Sequence, residues 1–378
     1  MRALVVLSHL PLREGSAAGR CAVGLVQGLR EHGVELDVIA ARAPWQDDAA
    51  LDPALGVEVV EVPDAAGWGG RIARLRRPRT TFASGDLLAR TLELARRADV
   101  VHLEEVDAGA LGPHLDHDRW SVHLHCRSAR DLAYAPPWSV AGRARMEYVR
   151  AERRLARIAP NLVANTPEVA AEFGRHRHGV TLMPLALDPD AYVPSTPVHA
   201  PVAGLIGSAT WAPTADATRH LVRHVWPRVR ELLPDARLRL AGLDMNAETF
   251  PDLPARSPGV EWVGEVPSAE GFLSELALMV YPLGRGSGTK VKVLESLALG
   301  VPVVTSSSGA EGLAPSEAVQ IARDDRAIAE TTARLLADPG ARARLQASAR
   351  AAFVDHHAPQ VATAPLVALM REIAAPAS

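Results

Sequence analysis

The chain has 378 residues, 48% of them hydrophobic and 22% charged, so it is long enough for two folded domains and is not a disordered chain. Its formal net charge of −3 gives no overall attraction to nucleic acid. Two cysteines, Cys21 and Cys126, exclude a disulfide framework and fit a reducing compartment.

The N-terminal half alternates short β-branched runs with longer helical patterns. Strands are predicted for "ALVVLS" (3–8), "ELDVIAA" (35–41), "VEVVEV" (57–62), "DVVHLE" (99–104), "RWSVHLHC" (119–126), "NLVANT" (161–166) and "GVTLMP" (179–184). Helical patterns run from Ala18 to His32 and from about Gly142 to Ile158. This alternation predicts a parallel sheet covered by helices on both faces. The apolar run after Met1 is too short for a membrane span, and we expect a cytoplasmic protein.

A proline-rich segment, "DPDAYVPSTPVHAP" (188–201), predicts a linker between two domains. We place the N-terminal domain at 1–195 and the second domain at 196–354. After the linker the alternation begins again, with strands "VAGLIGS", "ARLRLAG", "VEWVGEV", "ALMVYPL", "VPVVTS" and "AVQIA". The fold class is therefore α/β, with two Rossmann-like, doubly wound domains.

The segment "GSGTKVKVLES" (286–296) holds both lysines of the chain, Lys290 and Lys292. It follows a strand and enters a helix through a glycine-rich loop, where free backbone N–H groups and the helix dipole favour an anion. An ordinary loop with a solvated lysine–glutamate pair would have the same residues. The alternative that we favour is a phosphate site.

The stretch "GSGTKVKVLESLALGVPVVTSSSGAEGL" resembles the donor-binding segment of the retaining glycosyltransferases of family four (glycosyl transferases group 1). The resemblance implies the GT-B architecture, in which two Rossmann-like domains face a central cleft. The same resemblance implies that a C-terminal helix, 355–378, completes the N-terminal domain. It also implies transfer of a sugar, most simply from a UDP-sugar, to a hydroxyl acceptor without a metal or other cofactor.

The resemblance assigns roles to residues of the second domain. Lys290 and Lys292, with the amides of Gly288 and Thr289, are expected to hold the diphosphate, and Glu295 to accept the ribose hydroxyls. Further donor-binding residues are expected after the first and third strands of this domain and in the glycine loop, namely Gly207, Ser208, Val266 and Ser287.

Two residue sets of the first domain complete the expected site. Gly15 and Ser16 match a glycine-containing turn that lets the donor phosphates approach, although a plain turn would have the same residues. His125 follows "SVHLHC" and matches a histidine near the transferring sugar, so His125, Lys292 and Glu295 are the expected catalytic residues. A buried histidine that only packs in the core is the alternative.

Departures from the family pattern leave other functions open. Ser287 stands where many relatives have a sugar-binding glutamate, and "GSATWAPTAD" (207–216) lacks an arginine and lysine found in many relatives. These features favour a catalytically weak partner subunit, and the same fold also supports epimerases and phosphorylases. A remote alternative is a metal-dependent hydrolase, suggested by the histidines and aspartates of "HLDHDRWSVHLHC".

The segment "WGGRIARLRRPRTTF" (68–82) is rich in arginine. It predicts contact with an anionic acceptor or with the inner face of a membrane, and a solvated basic loop is the alternative. The arginines concerned are Arg71, Arg74, Arg76, Arg77 and Arg79. The acceptor itself, whether a glycan, a lipid or a small natural product, is left open by the sequence.

Overall fold

The computed structural model describes residues 1–44, 46–62, 85–175, 179–194, 196–254 and 257–375. The chain divides into two compact units. Unit 1 consists of Met1–Asp188 and His357–Ser378, and unit 2 of Pro189–His356. The five arginines of the basic segment lie outside the described residues.

Unit 1 is built on a seven-stranded parallel sheet with the strand order β3-β2-β1-β4-β5-β6-β7. The strands are β1 Arg2–Leu7, β2 Glu35–Arg42, β3 Val57–Glu61, β4 Val100–Glu104, β5 Trp120–Leu124, β6 Asn161–Ala164 and β7 Thr181–Leu182. The direction of strand addition reverses between β1 and β4, so the carboxyl ends of these strands border a crevice suited to a ligand.

Both faces of this sheet are covered, which explains the continuous apolar run of β1. Leu4 and Val6 lie in one hydrophobic core, and Val5 and Leu7 in the core on the opposite face. The covering helices are α1 Ala17–Glu31, α2 Gly85–Ala95, α3 Glu105–Gly109, α4 Ser128–Asp131, α5 Val140–Ile158 and α6 Pro167–Gly174, with short 3₁₀ turns at Pro53–Leu55 and Gly112–His114.

The last helix of the chain completes unit 1. Pro359–Ala374 packs on α1, and its Leu366, Val367 and Met370 lie in the same core as Val5. The helices approach closely at Gly28, where an added Cβ would overlap the carbonyl oxygen of Pro359. Unit 1 is therefore discontinuous in sequence.

Unit 2 has a six-stranded parallel sheet with the order β10-β9-β8-β11-β12-β13. Its strands are β8 Val202–Ile206, β9 Arg237–Ala241, β10 Val260–Gly264, β11 Leu278–Tyr281, β12 Val303–Thr305 and β13 Val319–Ile321. Its helices are α7 Ala212–His220, α8 Trp226–Leu232, α9 Ala269–Ser274, α10 Val291–Ala298, α11 Asp325–Ala337 and α12 Pro339–His357; the final helix, Pro359–Ala374, is α13. Here the order reverses between β8 and β11.

The prediction of two doubly wound parallel sheets is confirmed, and the differences are local. The sequence over 214–233 has the pattern of one helix, but Leu221–Val225 is a π-helical segment between α7 and α8. Such a segment accommodates one extra residue in a helix. The predicted strand 179–184 is reduced to two residues, Thr181–Leu182. No helix in the described part of the chain is long and apolar enough to cross a membrane.

Candidate active site

The glycine-rich loop of unit 2 lies at the carboxyl end of β11 and leads into α10. Gly286 and Gly288 have φ of 137° and 73°, conformations in which a side chain would be strained. Gly284, the first glycine of the loop, is not in this region. The helix begins at Val291, with Lys290 as its N-cap residue. The loop therefore directs backbone amides toward the edge of the sheet, as an anion site requires.

Lys292 reaches from α10 to the N-terminal part of α7. Its Nζ donates a hydrogen bond to Thr214 Oγ1 at 2.8 Å and lies 4.8 Å from the centre of the Tyr281 ring. Burial lowers the pKa of this ammonium group to about 8, although the charge of Glu295 opposes the shift. The hydrogen bond goes to a neutral hydroxyl, so an incoming anion would be a stronger partner than the present one.

Lys290 has a different environment although it lies only two residues away. Its Nζ lies 3.8 Å from Glu311 Oε2 and contacts the carbonyl oxygen of Gly288. The Gly288 amide donates to Glu311 Oε1 at 2.9 Å. The Glu311 carboxylate thus already interacts with two groups that the sequence assigned to a diphosphate.

Glu295 lies on α10 and is buried, with an exposed fraction of 2%. Its Oε1 accepts a hydrogen bond of 3.0 Å from the Tyr192 hydroxyl. Tyr192 follows the first turn of unit 2, Pro189–Ala191, and was not predicted as a site residue. A ribose would therefore meet a carboxylate that a tyrosine already orients.

Two hydroxyl residues of the loop are also buried. Thr289 Oγ1 has no hydrogen-bond partner among the described residues, although a buried hydroxyl without a partner is costly. Ser287, which replaces the family glutamate, is buried beside it. The Thr289 hydroxyl is thus a polar group that a ligand would satisfy.

The other predicted donor residues of unit 2 lie after β8 and β10. Gly207, at the end of β8, has φ of 155°, and a Cβ there would overlap the Nζ of Lys292. The Ser208 hydroxyl is exposed and pairs with Thr210 Oγ1 at 2.6 Å. Val266 is half-buried in the loop after β10. Gly207 is thus placed directly against Lys292, because only glycine leaves room for the ammonium group.

In unit 1, Gly15 and Ser16 form the turn before α1. Gly15 has φ of 122°, which fits the predicted glycine turn. The Ser16 hydroxyl accepts a hydrogen bond from the Gly19 amide at 3.1 Å and caps the helix. The local structure thus accounts for Ser16 as a helix cap, and its contact with a donor stays a prediction.

His125 follows β5 and lies in a buried cluster centred on Glu104. Oε1 of this carboxylate lies 2.5 Å from His125 Nε2 and 3.0 Å from His123 Nδ1, and Oε2 lies 2.9 Å from His102 Nε2. His102 Nδ1 faces Ser121 Oγ at 2.8 Å. Because an ionised carboxylate only accepts, the three facing ring nitrogens are assigned as donors.

Charge within the cluster is unevenly distributed. Burial alone would raise the pKa of Glu104, but the charge of His125 and the hydrogen bonds from His102 and His123 hold it well below its usual value. Burial lowers the pKa of His123 to about 4. Burial also opposes protonation of His125, yet the Glu104 and Glu105 carboxylates raise its pKa. Near neutral pH the cluster therefore holds an anionic Glu104, a neutral His123 and a His125 biased toward the cation.

Glu105 extends the cluster toward solvent. Its two carboxylate oxygens lie 3.3 Å from His125 Nδ1 and 3.0 Å from His9 Nε2. Glu105 also has φ of 70°, a left-handed conformation that is costly for a residue with a side chain. Both nitrogens of His125 thus face carboxylates, so the cluster meets solvent through Glu105 and His9.

The sequence analysis singled out His123 and His125 but missed His102 and Glu104. The signal was present, because residues two apart on a strand share a face, and β4 and β5 are neighbours in the sheet. Within the part of the chain that the structure describes, His102, Glu104 and His123 could hold a metal ion, since one ligand atom from each lies within 4.8 Å of the others. His117 is not part of this group and lies in a loop, where its Nδ1 accepts a hydrogen bond from the Arg119 amide.

Comparison with known protein families gives two matches that together span most of the chain. The glycosyl transferase 4-like domain matches residues 16–186, and the glycosyl transferases group 1 model matches residues 200–338. A comparison with curated protein sequences gave no match.

Solved structures with the same fold match almost the whole chain. Sucrose-phosphate synthase from Thermosynechococcus elongatus is 16% identical, with a TM-score of 0.69 over 99% of each chain. HepE from Anabaena in complex with UDP and glucose is 14% identical, with a TM-score of 0.66 over 98% of this chain and 100% of that one. A TarM variant from S. aureus in complex with fondaparinux, alpha-GlcNAc-glycerol and UDP is 8% identical, with a TM-score of 0.68 over 98% and 99%.

Proposed function

The chain belongs to the glycosyl transferases of group 1 and has the GT-B fold, and from this premise we propose that it transfers a sugar from a UDP-sugar to a hydroxyl acceptor. We further propose that the anomeric configuration is retained and that no metal ion takes part. UDP is chosen because two similar structures, of HepE and of a TarM variant, are complexes with UDP.

The observation that carries the proposal is the environment of Lys292. Its ammonium group lies at the carboxyl edge of β8, against Gly207 and Thr214, with its charge only partly compensated. A departing diphosphate gains negative charge as its bond to the sugar breaks, and a preorganised cation stabilises that charge best where water is excluded. We assign Lys292 this role.

The remaining donor contacts follow from the groups around Lys292. The amides of the glycine loop and the Thr289 hydroxyl donate to phosphate or sugar oxygens. Glu295, held by Tyr192, accepts ribose hydroxyls through its oxygens. The Glu311 carboxylate lies beside the ammonium group of Lys290. Lys290 therefore binds the diphosphate only when this contact is loosened or shared with the phosphate oxygens.

In unit 1 we assign acceptor binding to the cluster that ends at Glu105 and His9. The Glu105 carboxylate at its accessible end suits the hydroxyl groups of an acceptor, since an ionised carboxylate accepts hydrogen bonds and His9 Nε2 already donates one to it. His125 then positions Glu105 instead of contacting the acceptor directly, because both of its nitrogens face carboxylates. This changes the role that the resemblance implied for His125.

The donor assignment is tested by nucleotide binding and by product analysis. We expect UDP to raise the melting temperature of the wild-type chain by mass action, and Glu295→Ala to weaken this effect while the chain stays folded. A UDP-sugar that the chain consumes identifies the sugar, and NMR of the product reports the anomeric configuration. An inverted product would refute retention alone, whereas the absence of nucleotide binding would refute the donor site.

Metal independence has its own test. Dialysis against a chelator should leave both nucleotide binding and transfer unchanged. Metal found in stoichiometric amount in the purified protein, and lost in a His102→Phe variant, would instead assign the Glu104 cluster to a metal ion.

A further inference from the structure

The start of α5 in unit 1 carries an exposed apolar tip. Trp138 and Val140 have exposed fractions of 80% and 76%, the two highest among the large apolar side chains described. They are neighbours across the helix cap Ser139. Full exposure of an indole and a β-branched side chain side by side is unfavourable in water, so the tip is a candidate contact surface.

The tip is held rigidly. Ser139 accepts a hydrogen bond from the Gly142 amide at 2.9 Å and donates one to the Pro136 carbonyl at 2.7 Å. Arg143 donates to the carbonyl of Trp138 itself at 2.7 Å. Gly142 lies so close to Pro136 that any Cβ would overlap its carbonyl oxygen. The backbone under Trp138 is therefore held in place, and little backbone entropy is lost when the indole is bound.

Beyond the tip, α5 presents a row of exposed arginines. They recur at spacings of three and four residues, with a few adjacent positions, and therefore lie on one face of the helix. The exposed arginines are Arg143, Arg150, Arg153, Arg154 and Arg157. Met146 is exposed on this face, and Glu147, half-buried, is its acidic member. The opposite face, with Leu155 and Ala156, packs into the core of unit 1.

We propose that this surface, Trp138 and Val140 together with the arginine face of α5, docks unit 1 on an anionic lipid bilayer. Tryptophan is favoured at the membrane–water interface because one part of its ring is apolar and the other donates a hydrogen bond. Arginines at the same level pair with lipid phosphates. The proposal is independent of the donor chemistry, since none of these residues belongs to the candidate active site.

Local charge decides the attraction, because charges are screened beyond about 8 Å at physiological ionic strength. The net charge of −3 of the whole chain is therefore a weak opposing influence. Each arginine near an anionic surface contributes roughly fivefold to the binding constant. Removal of the Trp138 side chain should cost at least about tenfold, as expected for an apolar side chain taken out of water.

Vesicle co-sedimentation tests the proposal with the full chain. The vesicles are phosphatidylcholine alone or phosphatidylcholine with phosphatidylglycerol. Trp138→Ala is compared with Ile321→Ser, which replaces an exposed apolar residue of unit 2. The double variant Arg153→Gln/Arg154→Gln is compared with Arg323→Gln/Arg344→Gln, which replaces two exposed arginines of unit 2. Thermal melting verifies that each variant is folded.

We expect the wild type to bind the anionic vesicles only, and to bind them more weakly at high salt. Trp138→Ala and the double arginine variant of α5 should lose this binding, whereas the two control variants should keep it. Equal binding to neutral vesicles, no binding to either kind, or equal loss in the controls would overturn the proposal. If the wild type is dimeric by light scattering and Trp138→Ala is monomeric, a second copy of the chain covers the tip and the membrane assignment is wrong.

Discussion

Nucleotide binding should become weaker above pH 8, and Lys292 is the reason. The pKa of its ammonium group is about 8 in the free protein because the group is buried. A bound diphosphate favours the charged form and moves the pKa back toward its usual value of 10.5. Binding therefore takes up a proton between these two values, and the affinity falls as pH rises through this window.

The size of the effect follows from the shift. At pH 7 most Lys292 side chains are charged and the affinity is at its full value. One unit above pH 8 the charged fraction is roughly a tenth, so the affinity for UDP should fall about tenfold, equivalent to about 1.4 kcal/mol. Replacing the lysine by Lys292→Met should cost about 1.5–3 kcal/mol at pH 7, the range for a hydrogen bond to a charged group.

Isothermal titration calorimetry of UDP at pH 7 and pH 9 is the assay, with buffers of different ionisation enthalpy to count protons. The ionisation of UDP itself contributes equally to the pH dependence of binding in every variant. The quantity of interest is therefore the difference between wild type and Lys292→Met in how the affinity changes with pH. Lys290→Met is the matched control, since it should weaken binding and keep the pH slope. An equal slope in wild type and Lys292→Met would refute the reasoning.

Without nucleotide, Lys292→Met should be more stable than the wild type. The folded-state pKa of Lys292 is depressed, so the unfolded chain binds more protons between about pH 8 and 10.5, and wild-type stability rises with pH in this window. At pH 7 the gain from removing the buried charge is at most about 3 kcal/mol. Thermal melting of both proteins without ligand measures it. A lower melting temperature for the variant would contradict the depressed pKa.

Three further substitutions test the packing around the sites. Gly207→Ala should weaken UDP binding in calorimetry by about 1.5–3 kcal/mol, as much as Lys292→Met, while the chain stays folded, because its Cβ would displace the Lys292 ammonium group; unchanged affinity would contradict this placement. Gly28→Ala should lower the free energy of unfolding by about 1–3 kcal/mol in urea, the usual cost of overpacking, because it meets the backbone of Pro359; Gly174→Ala, at the end of α6, where the added Cβ would make only an ordinary contact with Val180, separates this clash from the loss of a helical glycine. Glu104→Gln should destabilise by about 3–5 kcal/mol, since it removes the charge that three histidine rings share; a neutral effect in the same urea titration would show that the cluster is not ionised.

The fold was predictable because each central strand is a short apolar run between helical patterns, as in β1. The glycine loop and the start of α10 were likewise visible as a local pattern. The two lysines could not be told apart in sequence. Lys290 lies beside the Glu311 carboxylate, and Lys292 donates a hydrogen bond to Thr214. Both partners are distant in sequence and lie near the lysines because of the order of strands in the sheet.

Long-range pairing also explains what was missed elsewhere. Tyr192 lies in the predicted linker, and its contact with Glu295 spans 103 residues. Glu104 was recognised only as the end of a strand, although its i−2 neighbour His102 already indicated a polar face on β4. A pattern of period two reveals which side chains share a face, but the neighbouring strand must be known before a cluster can be predicted.

The discontinuity of unit 1 has a consequence for biosynthesis. All seven strands of its sheet have been translated by Asp188, yet α13, which supplies Leu366, Val367 and Met370 to one of its cores, is made only after unit 2. The nascent sheet therefore waits with one apolar face only partly covered, by α1, while a complete, contiguous unit 2 emerges and folds, and transiently exposed apolar surface of this kind promotes aggregation. Removal of α13 would damage the half of the protein that was synthesised first.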